Sequence, residues 1–279
     1  MQKFQLSEYL KISGIGSASG IVFTNQSLYI ISDNAGYLYQ YDLESDKLVK
    51  HPIIENPSEN IAKNSKPDFE SITQKGNELH IFGSGSTQNR NKNIVFNITN
   101  QEIQENDLSE MYKNIKKTIP ISNEELNIEG ALFHNEKLYL FQRGNGANAK
   151  NGIIIISNNI HFQTIQLPKI KHVETSFTDA ILVNNKIYFL ASAEDTISTY
   201  DDGEVLGSII GCIDVETFKI DFTIQISNSH KFEGLTLFKN SDPSDSEQAK
   251  QSHLEFLLCE DNDTEELETK IYKLIISKK

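Results

Sequence analysis

The chain has 279 residues, 38% of them hydrophobic, and a formal net charge of −13. No apolar run reaches the ~18–20 residues of a membrane helix, and no dense Lys/Arg cluster supplies the basic face that binding to a phosphate backbone requires. Neither membrane nor nucleic acid is therefore expected as a partner, and the acidic surface suits a monomer kept in solution or a protein that holds cations.

The opening "MQKFQLSEYLKI" lacks the apolar stretch of a secretory signal. A cytoplasmic location is expected, with a secreted mature form as the alternative. Cys212 and Cys259 sit in apolar, strand-like runs, so buried free thiols are expected rather than a disulfide.

In chain order, "KFQLSEYLKI" (3–12) reads as a strand with no partner of its own. Five repeated units follow, each opening on a polar residue before an apolar run: Ser19 in "ASGIVFT", Glu70 in "FESITQK", Glu129 in "IEGALFH", Asp179 in "FTDAILV" and Glu233 in "FEGLTLF". The gaps of 51, 59, 50 and 54 residues match a repeat of several short strands, as in propeller blades. Polar turns such as "TNQS" and "HNEK" end the opening strands and suit tight hairpins. The second strand begins nine residues after the opening position in the first three units and eight after it in the fourth. Third strands follow in all five units, and a more polar fourth strand in the first four.

Two segments interrupt the pattern. "NDLSEMYKNIKKTI" (106–119) reads as a short amphipathic helix, and 239–253 as a polar loop within the fifth unit. The fifth unit ends after its third strand, so strand 3–12 is expected to complete it and close the ring. The expected fold is all-β: a five-bladed β-propeller of four-stranded antiparallel blades, one domain spanning 1–279.

In such a ring the innermost strands line a central channel. Ser19, Glu70, Glu129, Asp179 and Glu233 are then expected to meet around the axis. Carboxylates so placed repel one another unless protonated or neutralised by a cation. Calcium, with 6–8 oxygen ligands, is the expected ion, and magnesium is second. The alternative role for these acids is to accept hydrogen bonds from backbone amides of the neighbouring blade. The loops after the second strands share this face and carry Asp33, Arg143, Glu194, Glu260 and Asp261. Arg143 is the candidate anchor for a phosphate or carboxylate, or a partner for one of the acids. His80 takes the place of a second-strand tyrosine and is expected to pack.

These residues resemble the apyrase family of soluble calcium-activated nucleotidases, five-bladed propellers with calcium in the channel. The blade entrances Ser19, Glu70, Glu129 and Glu233, the turn "SLYIISDNAGYLYQYDL" with Asp33, the strand end "LYLFQRGNG" with Arg143 and the segment "YFLASAEDT" with Glu194 carry the likeness. The fourth entrance departs from it, with Asp179 where those enzymes have serine. So does the N-terminal strand, which offers only Glu8 in place of an aspartate-rich motif. The motifs are also similar to those of esterase-like phytases and of uncharacterised Bacteroidota-type propeller proteins, which the chain as a whole resembles more closely. The resemblance implies a calcium-dependent phosphohydrolase acting on a nucleotide or phosphate ester. Arg143 would stabilise charge, and Asp33 or Glu194 would orient or deprotonate water. The alternative is a non-catalytic binding propeller with structural calcium.

Overall fold

The computed structural model describes residues 3–122, 125–145, 150–196, 203–241, 252–261 and 266–277. Short apolar runs punctuated by Asn-rich turns form strands, and the strands assemble into five four-stranded antiparallel sheets. The turns take the left-handed backbone that tight hairpins need: Asn25 and Gln26, Asn135 and Glu136, and Asn184 and Asn185 all have positive φ. The innermost strands are Ala18–Thr24, Phe69–Lys75, Ile128–His134, Ser176–Val183 and Phe232–Ser241. Each touches the innermost strand of the blades on either side, which closes a five-bladed β-propeller.

The ring is sealed as expected from the sequence. Phe4–Ser13 lies antiparallel to Glu268–Ser277 and is the outer strand of the fifth blade, with Phe4 opposite Ile276 and Ser13 opposite Glu268. That strand is mostly exposed on its outer side, so its own burial contributes little and the ladder of backbone bonds holds it.

The core lies between adjacent blades. Phe177 meets Phe141 and Phe189 edge-on, with ring centroids 5.3 and 5.2 Å apart. Tyr188 meets Phe256 at 5.3 Å across the next interface. His80 packs against Phe133 at 4.9 Å, and burial lowers its pKa. Cys212 and Cys259 are free and buried.

The interrupting helix runs from Ser109 to Thr118, starting later than 106. The Ile103–Asp107 segment is needed as the outer strand of the second blade, and the Asp107 carboxylate, one residue before the N-cap Leu108, accepts from the Ser109 amide at 2.8 Å. The polar loop expected at 239–253 begins only after the innermost strand has run on to Ser241, and the next strand starts at His253. Residues 242–251 lie outside the described residues.

Every innermost strand carries a bulge near its start. The pairing with the second strand skips one residue: Ser19, Glu70, Glu129, Thr178 and Glu233. A bulge frees a residue from the ladder and re-aims its side chain. Four of the five bulge residues are those expected at the blade entrances. The fourth is Thr178, not Asp179. The second strand thus begins nine residues after the bulge in the fourth unit too, counting from Thr178 to Ile187.

Candidate functional site

Side chains alternate along a strand, so residues two apart share a face. The residues two before each bulge are Ser17, Asp68, Asn127, Ser176 and Lys231, all buried and all polar. Between the two polar positions stand Ala18, Phe69, Ile128, Phe177 and Phe232, each fully buried. Each blade thus presents a polar–apolar–polar step at its entrance, with both polar residues on the channel side. Convergence shows in the electrostatics: the proton affinity of Glu70 responds to Glu129 and Glu233 from two other blades, and to Asp68 and Asp33.

Two of the bulge residues act as staples between blades. Ser19 Oγ donates to the Phe69 carbonyl at 2.6 Å, and Thr178 Oγ1 donates to the Phe232 carbonyl at 2.7 Å. In both cases the acceptor directly precedes the next blade's bulge residue. A metal at the Ser19 hydroxyl would have to share its oxygen with this bond.

Asp179 takes the position after the bulge, where three other blades have Gly20, Gly130 and Gly234. Neighbouring blades approach closely here: a Cβ on Gly234 would lie 2.9 Å from the Ile21 nitrogen and 2.4 Å from Cys259 Sγ. Asp179 uses this proximity. Its Oδ1 accepts from the Ala180 amide and its Oδ2 from the Leu235 amide of the fifth blade, both at 2.7 Å. Burial pushes its carboxyl well above the usual aspartate range, against the pull of the two amides. Asp179 therefore clasps two blades together, the backbone-accepting role weighed for these acids as a group, and both its oxygens are already engaged.

The remaining charges form a chain of ion pairs. Arg143, just beyond the second strand Lys137–Gln142, donates through Nη1 to Glu129 Oε1 at 3.0 Å and lies 3.0 Å through Nη2 from Glu194 Oε1. Glu129 Oε1 also accepts from Asn127 Nδ2 at 2.8 Å. Lys231 sits 3.1 Å from Glu194, 2.9 Å from Glu233 and 3.2 Å from Asp261. Burial opposes the Lys231 charge, but Glu233, Asp261 and Glu194 outweigh it and hold the ammonium well above the usual lysine range. Burial likewise works to raise Glu194, yet Arg143 and Lys231 bring it below the usual glutamate range. Glu233 and Glu129 remain raised, burial exceeding the effect of their cations.

A second cluster lies between the first two blades. Asp33 follows the second strand Ser27–Ser32 and pairs with Lys66. Lys66 also reaches Asp68 at 2.9 Å, and Arg90 Nη1 pairs with the other oxygen of Asp68 at 2.7 Å. Asp33, Asp68 and Glu70 each place a carboxylate oxygen within 4.8 Å of the others. Glu70 is partly open to solvent, and among the described residues its side chain makes no hydrogen bond or ion pair. Burial, then Glu129, Asp68 and Asp33, push it well above the usual range.

The structure thus brings together Asp33, Glu70, Glu129, Arg143, Glu194, Glu233 and Asp261 at one mouth of the channel. Glu260 turns aside and accepts from the Tyr272 hydroxyl at 2.9 Å. Lys66, Asp68, Arg90 and Lys231 belong to the same mouth and escaped sequence reasoning. For Asp68 and Lys231 the signal was present, two residues before each bulge.

A ring of five bulged strands around a buried, ion-paired polar channel defines a five-bladed propeller with a charged channel mouth. The chain belongs to a family described as of unknown function (DUF6929), which matches residues 14–276. No curated protein matches it. Among solved structures it is similar to the glutaminyl cyclase of Myxococcus xanthus, with 12% identity, a TM-score of 0.54 and coverage of 98% of this chain and 97% of that one. It is similar also to the PQQ-bound aldose sugar dehydrogenase of Streptomyces coelicolor, with 8% identity, a TM-score of 0.54 and 98% of each chain covered. At such identities the likeness establishes the fold alone. The comparisons thus support the family and the five-bladed propeller plan, and not an apyrase specifically.

Proposed function

We propose that this protein is a ligand-binding propeller whose channel mouth takes a divalent cation, calcium before magnesium, at Asp33, Asp68 and Glu70. One observation carries the reading. Ser19 and Thr178 are spent on neighbouring carbonyls, Asp179 on two amides, and Glu129 and Glu233 on Arg143 and Lys231. Among the described residues, Glu70 is the one bulge carboxylate with no cation at ion-pair distance, though Lys66 acts on it from beyond that range, and two further carboxylates stand beside it. The five residues expected to share an ion thus do not fit one as a set. The trio around Glu70 fits better, with oxygen donors suited to a hard cation. Lys66 now bridges Asp33 and Asp68, and its long, flexible stem allows the ammonium to yield to an ion.

Hydrolysis of a phosphate ester is the second reading. Its support is the Arg143 Nε, which is buried without a hydrogen-bond partner at the mouth and is a donor left for an anionic ligand. Binding ranks first because Arg143 is otherwise held between two carboxylates. Glu194, kept ionised below the usual range, is moreover a weak base.

Thermal unfolding in calcium, magnesium or chelator tests the proposal. An ion that binds only the folded chain stabilises it by about 2.7 kcal/mol at a hundredfold excess over Kd. A rise in midpoint with calcium is expected, smaller with magnesium and abolished by Glu70→Gln. The rise is expected to grow with pH. A carboxyl with a raised folded pKa stabilises the fold while protonated and loses that contribution as pH climbs through that pKa, and calcium replaces the lost proton. Equal midpoints in calcium and chelator would remove the ion. Phosphate release from nucleotides and phosphate esters, lost in Arg143→Ala, would promote the second reading.

A further inference from the structure

The protein is acidic overall, yet one cleft gathers three lysines. It measures 270 Å³ and is lined by Asn91, Ser109, Tyr112, Lys113, Lys116 and Lys117. The helix Ser109–Thr118 supplies five of these, and Asn91 follows the short 3-10 turn Gln88–Arg90 of the second blade. None belongs to the channel mouth.

The helix is fixed from below. Tyr112 is buried, and its hydroxyl donates to the Gly83 carbonyl at 2.7 Å. Lys116 Nζ donates to the Gly85 carbonyl at 3.1 Å. Lys113, Lys116 and Lys117 stand three and four residues apart, so they share one face of the helix. Lys116 and Lys117 lie in the last turn, where positive charge also answers the helix dipole. That effect explains neither Lys113 nor Asn91. The Asn91 Oδ1 is buried and accepts no hydrogen bond within the protein. Its backbone groups are engaged, the carbonyl accepting from Leu108 at 2.8 Å, so the unmatched polarity of this cleft-lining residue lies in its side-chain amide. An amide presents a donor as readily as an acceptor by turning over. Of the acids on the same helix segment, Glu110 pairs with Lys113 at 2.9 Å, both exposed, and Asp107 accepts from the amide and the hydroxyl of Ser109. Exposed pairs of this kind contribute little and exchange readily.

We propose that this cleft is a binding site for a small phosphate-bearing anion, of the size of a diphosphate group. Lys113 and Lys117 supply mobile charge and Asn91 its unmatched amide, while the Ser109 hydroxyl is held by the Asp107 carboxylate. A volume of 270 Å³ lies just below the roughly 300–1,000 Å³ of drug-sized sites, room for a small anion and too little for a folded partner. Three lysines are also too few for a nucleic-acid track.

Calorimetric titration of the whole chain with sodium diphosphate, at constant ionic strength and without calcium, tests this. Saturable binding is expected, weakened about tenfold in Lys113→Gln/Lys117→Gln and weakened again in Asn91→Leu. Both lysines are exposed, so the double variant should keep its melting midpoint. Arg143→Gln is expected to leave the affinity unchanged, which separates this cleft from any anion held at the channel mouth. Absence of saturable binding, unchanged affinity in the double variant, or loss confined to Arg143→Gln would each overturn the proposal.

Discussion

Replacing Lys231 by methionine is expected to cost about 3–5 kcal/mol of folding stability at neutral pH. Lys231 is almost wholly buried and serves Glu194, Glu233 and Asp261 at 2.9–3.2 Å. Its loss strands carboxylates that burial already disfavours. The pH dependence is the diagnostic part. Without the ammonium, the folded-state pKa of Glu233 rises further above its unfolded value. The folded chain then binds more protons than the unfolded one at intermediate pH. Stability is retained at the acid end and lost as pH climbs through the folded pKa. Urea midpoints from about pH 5 to about pH 8 should therefore fall more steeply for the variant than for the parent. Coincident curves would show that Lys231 is not what holds these acids charged.

The second large effect is expected at Asp179. Asp179→Ala removes the acceptor of two buried amides, Ala180 and Leu235. A buried donor left unmatched costs ~1–3 kcal/mol, and here there are two. Asp179→Asn keeps one oxygen and brings a donor against the other amide, so it should fall between parent and alanine. The Leu235 amide belongs to the fifth blade, so the loss also loosens the fourth-to-fifth contact. Amide exchange at Leu235 should accelerate in Asp179→Ala while that of Ile21, in the first blade, stays slow. Equal acceleration at both sites, or no loss of stability, would argue against a clasp.

Much of the fold was legible because the repeat is regular. Apolar runs, Asn-rich turns and a spacing near fifty residues fixed the number of blades, and the incomplete last unit pointed to the first strand. The entrances of blades one, two, three and five were legible for the same reason. At blade four the entrance expected at Asp179 lies one residue late, because a carboxylate, Asp179, directly follows the hydroxyl, Thr178, that occupies the bulge. The irregular count of eight in place of nine marked the slip, and the staple from Thr178 to Phe232, matching that from Ser19 to Phe69, explains why a hydroxyl belongs there. The second polar ring needed only the alternation of a strand: Asp68 and Lys231 lie two residues before the bulges. Lys66 and Arg90 carry no such signal. They come from a loop and a single 3-10 turn, and only the folded ring brings them to Asp68.

The seal of the ring has a mechanical consequence. The first and last described strands run antiparallel, and Phe4 faces Ile276. Tension applied between those two residues loads the backbone bonds one rung at a time, like a zip, rather than all together in shear. The fifth sheet should peel open at low force while the other four, loaded only afterwards, stay folded, so the closed ring yields readily to a pull at its seam.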